Sequence, residues 1–253
     1  MQQLVFNRVR AGSATVLAVL LLPTSLSAAP RGPESGFGIP GLNSSGSSLP
    51  WTIIVILTVL TLLPALLLAM TPFVRLLVVF HFLRQALGTQ STPTNQTLIG
   101  LALFLTYFVM QPVGVEIYQS AVVPLQTKQV TAMEALDRGA VPMRRFMLKF
   151  TRQKDLALFV ELAKEPRPRR PEDLSMRVVI PAYILSELKA GFQIGTVLFF
   201  PFLVIDLVVA SITTSVGMMQ LPPVVISTPL KVLLFVMVDG WNLVVGSLMK
   251  SFY

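Results

Sequence analysis

Apolar residues in this chain fall into long runs, parted by short polar turns and by one extended charged block. The stretch "WTIIVILTVLTLLPALLLAM" at 51–70 carries no charge and matches the length of about 20 residues that a helix needs to cross a hydrocarbon core. Residues 97–115 form a second run, 192–210 a third and 224–248 a fourth. Pro64 lies within the first and predicts a bend there, because proline removes one helix hydrogen bond. Pro201 and Asp206 interrupt the third; Pro229, Lys231 and Asp239 interrupt the fourth. Thr71 and Pro72 read as an N-cap and a first helical residue, opening the helix "FVRLLVVFHFLRQALG" with Arg75, His81 and Arg84 on it. A polar turn, "STPTNQ" at 91–96, follows.

The water-compatible block spans 116–191. Over 116–188 it sets twelve basic residues against nine acidic ones. At 100° per residue Met143, Phe146, Met147 and Phe150 gather on one helical face, opposite Arg144, Arg145, Lys149 and Arg152. The loop "EPRPRRPED" at 165–173 is punctuated by proline, and Pro171 can start a further helix with Glu172 and Asp173 in its first turn. No strand alternation stands out. The N-terminal end has the form of a secretory signal peptide over 1–29: Arg8 and Arg10, an apolar middle at 11–22, then small residues. Cleavage after Ala29 or after Ser27 fits, and an uncleaved anchor is the alternative. Residues 30–50 are a Gly/Ser/Pro linker. The pattern as a whole predicts an all-α membrane protein, with one pair of apolar helices over 51–115 and another over 192–248. A small helical extracytoplasmic region over 116–191 lies between them.

Composition agrees. Hydrophobic residues make up 53% of the 253, charged residues only 13%, and mean hydropathy is +0.72. That is about half the charged share of a soluble domain, too little to dress a water-facing surface. Cysteine is absent, which excludes disulfides, thiolate metal sites and a cysteine nucleophile. A signal peptide followed by four spans puts 71–96 inside, 116–191 outside, the loop at 215–223 inside and the C-terminus outside. Arg75 and Arg84, with no acid between them, agree with positive charge inside. The net charge of +8 and the basic face over 144–152 point to lipid headgroups or partner subunits rather than nucleic acid.

Asp206 and Lys231 stand at about equal sequence distances from the centre of the 215–223 loop, so an antiparallel hairpin puts them at similar depth. A charge in hydrocarbon costs about 2.5–3.5 kcal/mol on insertion scales, which favours pairing. The pair would form within one subunit or between subunits; separate burial at protein interfaces is the alternative. His81 is the only histidine and has no acid near it in sequence. No phosphate-binding Gly-rich loop, metal-ligand spacing or Ser/His/Asp set is present, so neither catalytic residues nor a cofactor or metal is expected.

Several stretches resemble the FliP family, the P subunit of the flagellar and type III secretion export gate. "PAYILSELKAGFQIG" at 181–195, with Glu187, Phe192 and Gly195, is similar to one family signature. "PLKVLLFVMVDGW" at 229–241, with Asp239 and Trp241, is similar to the other. "MTPFVR", "FLRQALGTQ" and "NQTLIGLALFLTYFVMQPV" extend the likeness over about 70–241. The resemblance implies an inner-membrane subunit of the basal body that assembles with further copies of itself and with Q and R subunits, through those signature residues. It also implies downstream export-apparatus membrane proteins as partners and unfolded exported proteins as cargo. In the family the loop between the last two segments closes a pore with methionines. Met218 and Met219 hold those places here, with Gln220 where a third methionine often stands. Methionine is unbranched and polarizable, suited to sealing against solutes while repacking around varied chains. Gly217 would give the loop freedom, and Pro222 and Pro223 would fix its re-entry into the next helix. Without the resemblance, a hydrophobic turn buried in lipid or a core is the plainer reading of the loop. A broken-helix small-solute transporter or channel subunit is the other functional class, although no inverted repeat is visible.

Overall fold

The computed structural model describes residues 49–89, 91–164, 170–217 and 222–252. The signal peptide expected at 1–29, the linker expected at 30–50 except its last two residues, and Met218, Met219 and Gln220 lie outside the described residues. The described chain is helical and contains no strand: α1 (Leu49–Ala69), α2 (Phe73–Leu87), α3 (Asn95–Ile117), α4 (Val123–Gln126), α5 (Ala132–Phe150), α6 (Gln153–Ala163), α7 (Met176–Ser215), α8 (Pro223–Met237) and α9 (Gly240–Lys250). A π-helical turn, Tyr118–Val122, joins α3 to α4. The chain divides into two compact units at Ile53/Ile54. Of the first unit only 49–53, the opening turn of α1, is described; the rest concerns the second.

Local chemistry sets the helix ends. Thr94 and Thr131 accept hydrogen bonds at Oγ1 from the N–H groups of Thr97 and Glu134, each at 3.3 Å, and so cap α3 and α5. At the α1/α2 corner Thr71 Oγ1 donates to the Leu68 carbonyl at 2.7 Å and accepts from the Phe73 N–H at 3.4 Å. Pro72, with φ −61° and ψ −7°, already has helix-like angles ahead of Phe73. α2 stops at Gly88, whose φ of +73° favours glycine.

Trp51–Ala69, Asn95–Gln126 and Met176–Ser215 are long and apolar enough to cross a membrane. Pro223–Met237 and Gly240–Lys250 qualify together as a fourth candidate, broken by a 67° bend. The run read as a single helix over 224–248 is therefore two, and the break is local. Asp239 sits at φ +51° and Gly240 lies so close to Phe235 that a Cβ would stand 2.2 Å from its ring.

At the boundary between 191 and 192 the structure differs from the sequence expectation. α7 runs for 40 residues through position 191 without interruption, about 60 Å at 1.5 Å per residue. It joins the charged block to the apolar hairpin as one rod. The core likewise ignores the boundary: Leu76, Val79 and Phe80 of α2, Leu98 and Ala102 of α3, Met147 of α5, Val179 and Tyr183 of α7 and Leu248 of α9 form a single cluster. On the predicted apolar face of α5, Phe146 and Met147 are buried and Met143 and Phe150 pack against them.

The expected alternation of sides also fails as a set. Arg75, from the segment expected inside, touches Glu187, from the block expected outside, at 2.5 Å. Two groups in contact cannot lie on opposite sides of a hydrocarbon core about 30 Å thick.

α2 lies along α7 in the same direction, with Arg75 beside Glu187, Val78 beside Gly191, and Phe82 beside Phe192 and Gly195. Gly191 and Gly195, four apart, let the two backbones approach. A Cβ at Gly195 would sit 2.5 Å from the Phe82 ring, whereas one at Gly100 would meet nothing within 4 Å. Gly195→Leu should accordingly destabilise the purified chain by about 1–3 kcal/mol through overpacking. Gly100→Ala should raise stability by up to about 1 kcal/mol on helix propensity. Thermal unfolding in detergent measures both, and equal melting points for the two variants would contradict the packing described.

Candidate functional site

Polar groups inside the fold collect at three places along α7, each joining it to a different helix. At the first, Arg75 donates from Nη2 to Glu187 Oε1 at 2.5 Å and from Nη1 to Ser251 Oγ at 3.2 Å. Glu187 has no exposed surface and Arg75 only 5%. The guanidinium lies 4.1 Å from the ring centre of Phe252 and 5.6 Å from that of Phe150, within cation–π range. The C-terminal turn thus closes over the ion pair. Arg75 Nε, Glu187 Oε2 and Tyr183 Oη, all buried, have no hydrogen-bond partner among the described residues.

At the second place α6 supplies a buried carboxylate, Asp155. Ser186 donates to its Oδ2 at 2.9 Å, and Lys189 forms an ion pair with Oδ1. The Arg152 N–H donates to Ser186 Oγ at 3.0 Å, while the Arg152 side chain reaches Gln193 Oε1. Burial alone pushes the Asp155 carboxyl up. The hydrogen bonds from Lys189 and Ser186 and the charges of Lys189 and Arg152 outweigh it and hold the group below its ordinary value.

The third place is the α7–α8 hairpin. Asp206 accepts from Ser227 Oγ at 2.6 Å and from Lys231 Nζ at 2.5 Å within the one chain. The pair is lopsided: the Lys231 side chain is 3% exposed and that of Asp206 36%. The loop leading away from it leaves α7 at Gly217, φ +80°, with nothing within 4 Å of an added Cβ. Backbone conformation, not space, asks for glycine there. Pro222 is extended, with φ −59° and ψ 125°, and Pro223 is the first residue of α8.

The residues expected to serve assembly separate in space. Glu187 and Gly195 face into their own chain, against Arg75 and Phe82, so neither is open to a partner. Asp239 makes the α8/α9 corner and accepts from Asn242 Nδ2 at 3.2 Å. Phe192 is exposed, although edge-on to Phe82 at 5.3 Å, and Trp241 is partly exposed against Phe235 at 5.5 Å. The sequence gives Arg75 a sign and a place in "MTPFVR" but no partner, and it marks neither the Asp155 network nor Ser227. Arg75 and Glu187 stand 112 positions apart, and a single sequence carries no signal for such a pair.

Among the described residues no three His, Cys, Asp or Glu side chains converge on a possible metal position. His81 Nδ1 lies 3.2 Å from Arg84 Nη2. Burial and the neighbouring Arg84 charge both lower the His81 pKa, so the ring is neutral at pH 7.

The chain matches the family model described as "FliP family" over residues 56–248. It is 53% identical over 207 residues to the flagellar biosynthetic protein FliP of Pectobacterium carotovorum subsp. carotovorum, covering 80% of each chain. The protein of the same name from Bacillus subtilis (strain 168) is 50% identical over 200 residues, covering 79% of this chain and 90% of its own. That of Rhizobium meliloti (strain 1021) is 40% identical over 243 residues, covering 94% and 98%.

The lopsided burial at the hairpin predicts unequal single-mutant effects. Asp206→Ala strands a buried ammonium and should destabilise by about 3–5 kcal/mol. Lys231→Ala leaves a carboxylate that still has Ser227 and a route to solvent, and should destabilise by about 1 kcal/mol. The swap of Asp206→Lys with Lys231→Asp should recover part of the loss; denaturant unfolding in detergent reads all three, and a swap no better than the worse single variant would argue against direct pairing.

Asp155 predicts a pH dependence. Its folded pKa lies below the unfolded value of about 3.9, so its stabilisation is present above that pH and is lost as pH falls through the folded value. The melting-point gap between wild type and Asp155→Asn should be constant from pH 7 to about 5 and narrow below about 4. A gap that stays constant into strong acid would contradict the assignment.

Proposed function

The chain belongs to the FliP family, and on that premise we propose that it is a core, pore-forming subunit of the flagellar type III protein export gate. In this reading it sits in the bacterial inner membrane at the flagellar basal body. Several copies pack with Q and R subunits and hand on to downstream export-apparatus membrane proteins, while unfolded substrates pass through the middle. The family match over 56–248 is the observation that carries the reading.

The surface of the isolated chain supports a packed role. Residues 53–67 of α1 are exposed, and large apolar side chains such as Val197, Leu207, Val236 and Met237 stand 65–77% exposed on α7 and α8. Apolar area of that extent requires lipid or neighbouring subunits to cover it. The broken α8/α9 segment has the same requirement, since irregular backbone at membrane depth is tolerated where protein buries it.

Within the gate the uncharged loop between α7 and α8 acts as the seal. Met218 and Met219 form the compliant part, Gln220 either narrows the seal or hydrogen-bonds around the ring, and Gly217, Pro222 and Pro223 set the entry and exit of the turn. The closed state excludes water from an apolar constriction and yields to an entering polypeptide because methionine repacks. Replacing both Met218 and Met219 with Ala should raise leak of small ions through cells carrying the assembled gate, with motility retained at least in part. Ion flux and swimming assays measure the two. Unchanged leak with an intact assembly would rule out the sealing role, whereas failure to co-purify with Q and R subunits would remove the export reading itself.

A further inference from the structure

The cavity between α3 and α5 lies apart from the seal and shares only the Phe150 and Phe252 rings with the Arg75–Glu187 pair. It holds about 460 Å³, within the roughly 300–1,000 Å³ of small-molecule sites. Val109 and Val113 of α3, Phe146 and Phe150 of α5, and Phe252 supply its apolar lining. Pro112 and Pro142 lie in its two walls. Neither offers an N–H, so each helix lacks a backbone hydrogen bond beside the cavity.

The rim is basic. Arg145 donates to Glu116 at 2.7 Å, which cancels one charge. Lys149, exposed on the same face of α5, lies 5.1 Å from the Phe150 ring and has no carboxylate partner among the described residues. Position along α3 sets the level of this rim. From Asn95 to Val115 the helix carries no charge, and Glu116 is its first ionised side chain. Tyr118, two residues on, is 53% exposed, as aromatic residues at a membrane–water boundary often are. An apolar slot therefore opens under an uncompensated cation beside the one charge carried by the apolar segment Asn95–Gln126.

We infer that the α3–α5 groove binds one anionic phospholipid, with an acyl segment between Val113 and Phe146 and the headgroup phosphate on Lys149 and Arg145. Basic pockets between membrane helices hold acidic headgroups in this way. A partner's apolar helix would have no use for the cation, and a zwitterionic lipid would gain little from it. Lipid binding here holds whether or not the chain works in export.

The full chain, purified in detergent, should retain one dioleoylphosphatidylglycerol per chain in native mass spectrometry, in preference to dioleoylphosphatidylcholine. Lys149→Gln, an exposed position without an ion-pair partner among the described residues, should lower phosphatidylglycerol affinity about fivefold, the weight of one lysine near an acidic surface. It should leave phosphatidylcholine retention unchanged. Lys154→Gln, on α6 and outside the groove, should change neither. Val113→Trp, which fills the slot, should displace the lipid from a chain that still melts cooperatively. Equal retention of the two lipids, or an effect of Lys149→Gln no larger than that of Lys154→Gln, would overturn the assignment.

Discussion

A carboxylate without exposed surface must have a cation in reach, and for Glu187 that cation is Arg75. The rest of the architecture is arranged around this contact. An apolar helix such as α2 would pack against α7 almost equally well one turn up or down. The ion pair at one end and Phe82 over Gly195 at the other leave one register. A buried pair adds little net stability, because desolvation offsets most of the attraction, yet removing one partner costs about 3–5 kcal/mol. Its effect is to exclude alternatives. Once α2 is placed, α3 returns along it from the Arg84–Asn95 contact at 2.5 Å, and the C-terminal turn docks on the Arg75 guanidinium through Phe252.

α7 is the common member of these contacts. Glu187, Lys189 and Asp206 on one continuous helix meet Arg75, Asp155 and Lys231 on three others. A helix of this length, tied at intervals by charge, joins the charged block to the α7–α8 hairpin as one continuous element, Pro181 and Pro201 included. In the proposed gate this continuity ties the start of the loop, at Gly217, to the charged block.

The surface inverts the usual order of a soluble domain. The charged side chains of Arg75, Asp155, Glu187 and Lys231 lie inside, and large apolar side chains lie outside on α1, α7 and α8. Neighbouring chains or lipid must complete the fold, and the basic-rimmed groove between α3 and α5 takes its place as one part of that surface.

By itself the sequence determined what is local: the all-helical class, the apolar segments, the buried face of α5, and the presence of charges at 206 and 231 within apolar runs. These follow from periodicity and the cost of a charge in an apolar segment, all readable within a few turns of helix, whereas the caps at Thr94 and Thr131 emerged only with the structure. Only the tertiary structure decided the pairing of Arg75 with Glu187, the Asp155–Ser186–Lys189 network and the passage of α7 unbroken through Gly191. It likewise decided that the segments expected on opposite sides of the membrane share one level. The reason is that helix propensity and hydrophobic pattern say which residues want burial but not which distant partner will bury them. A glycine at 191 reads as a weak point until Val78 is seen to lie 3.0 Å from where its Cβ would be.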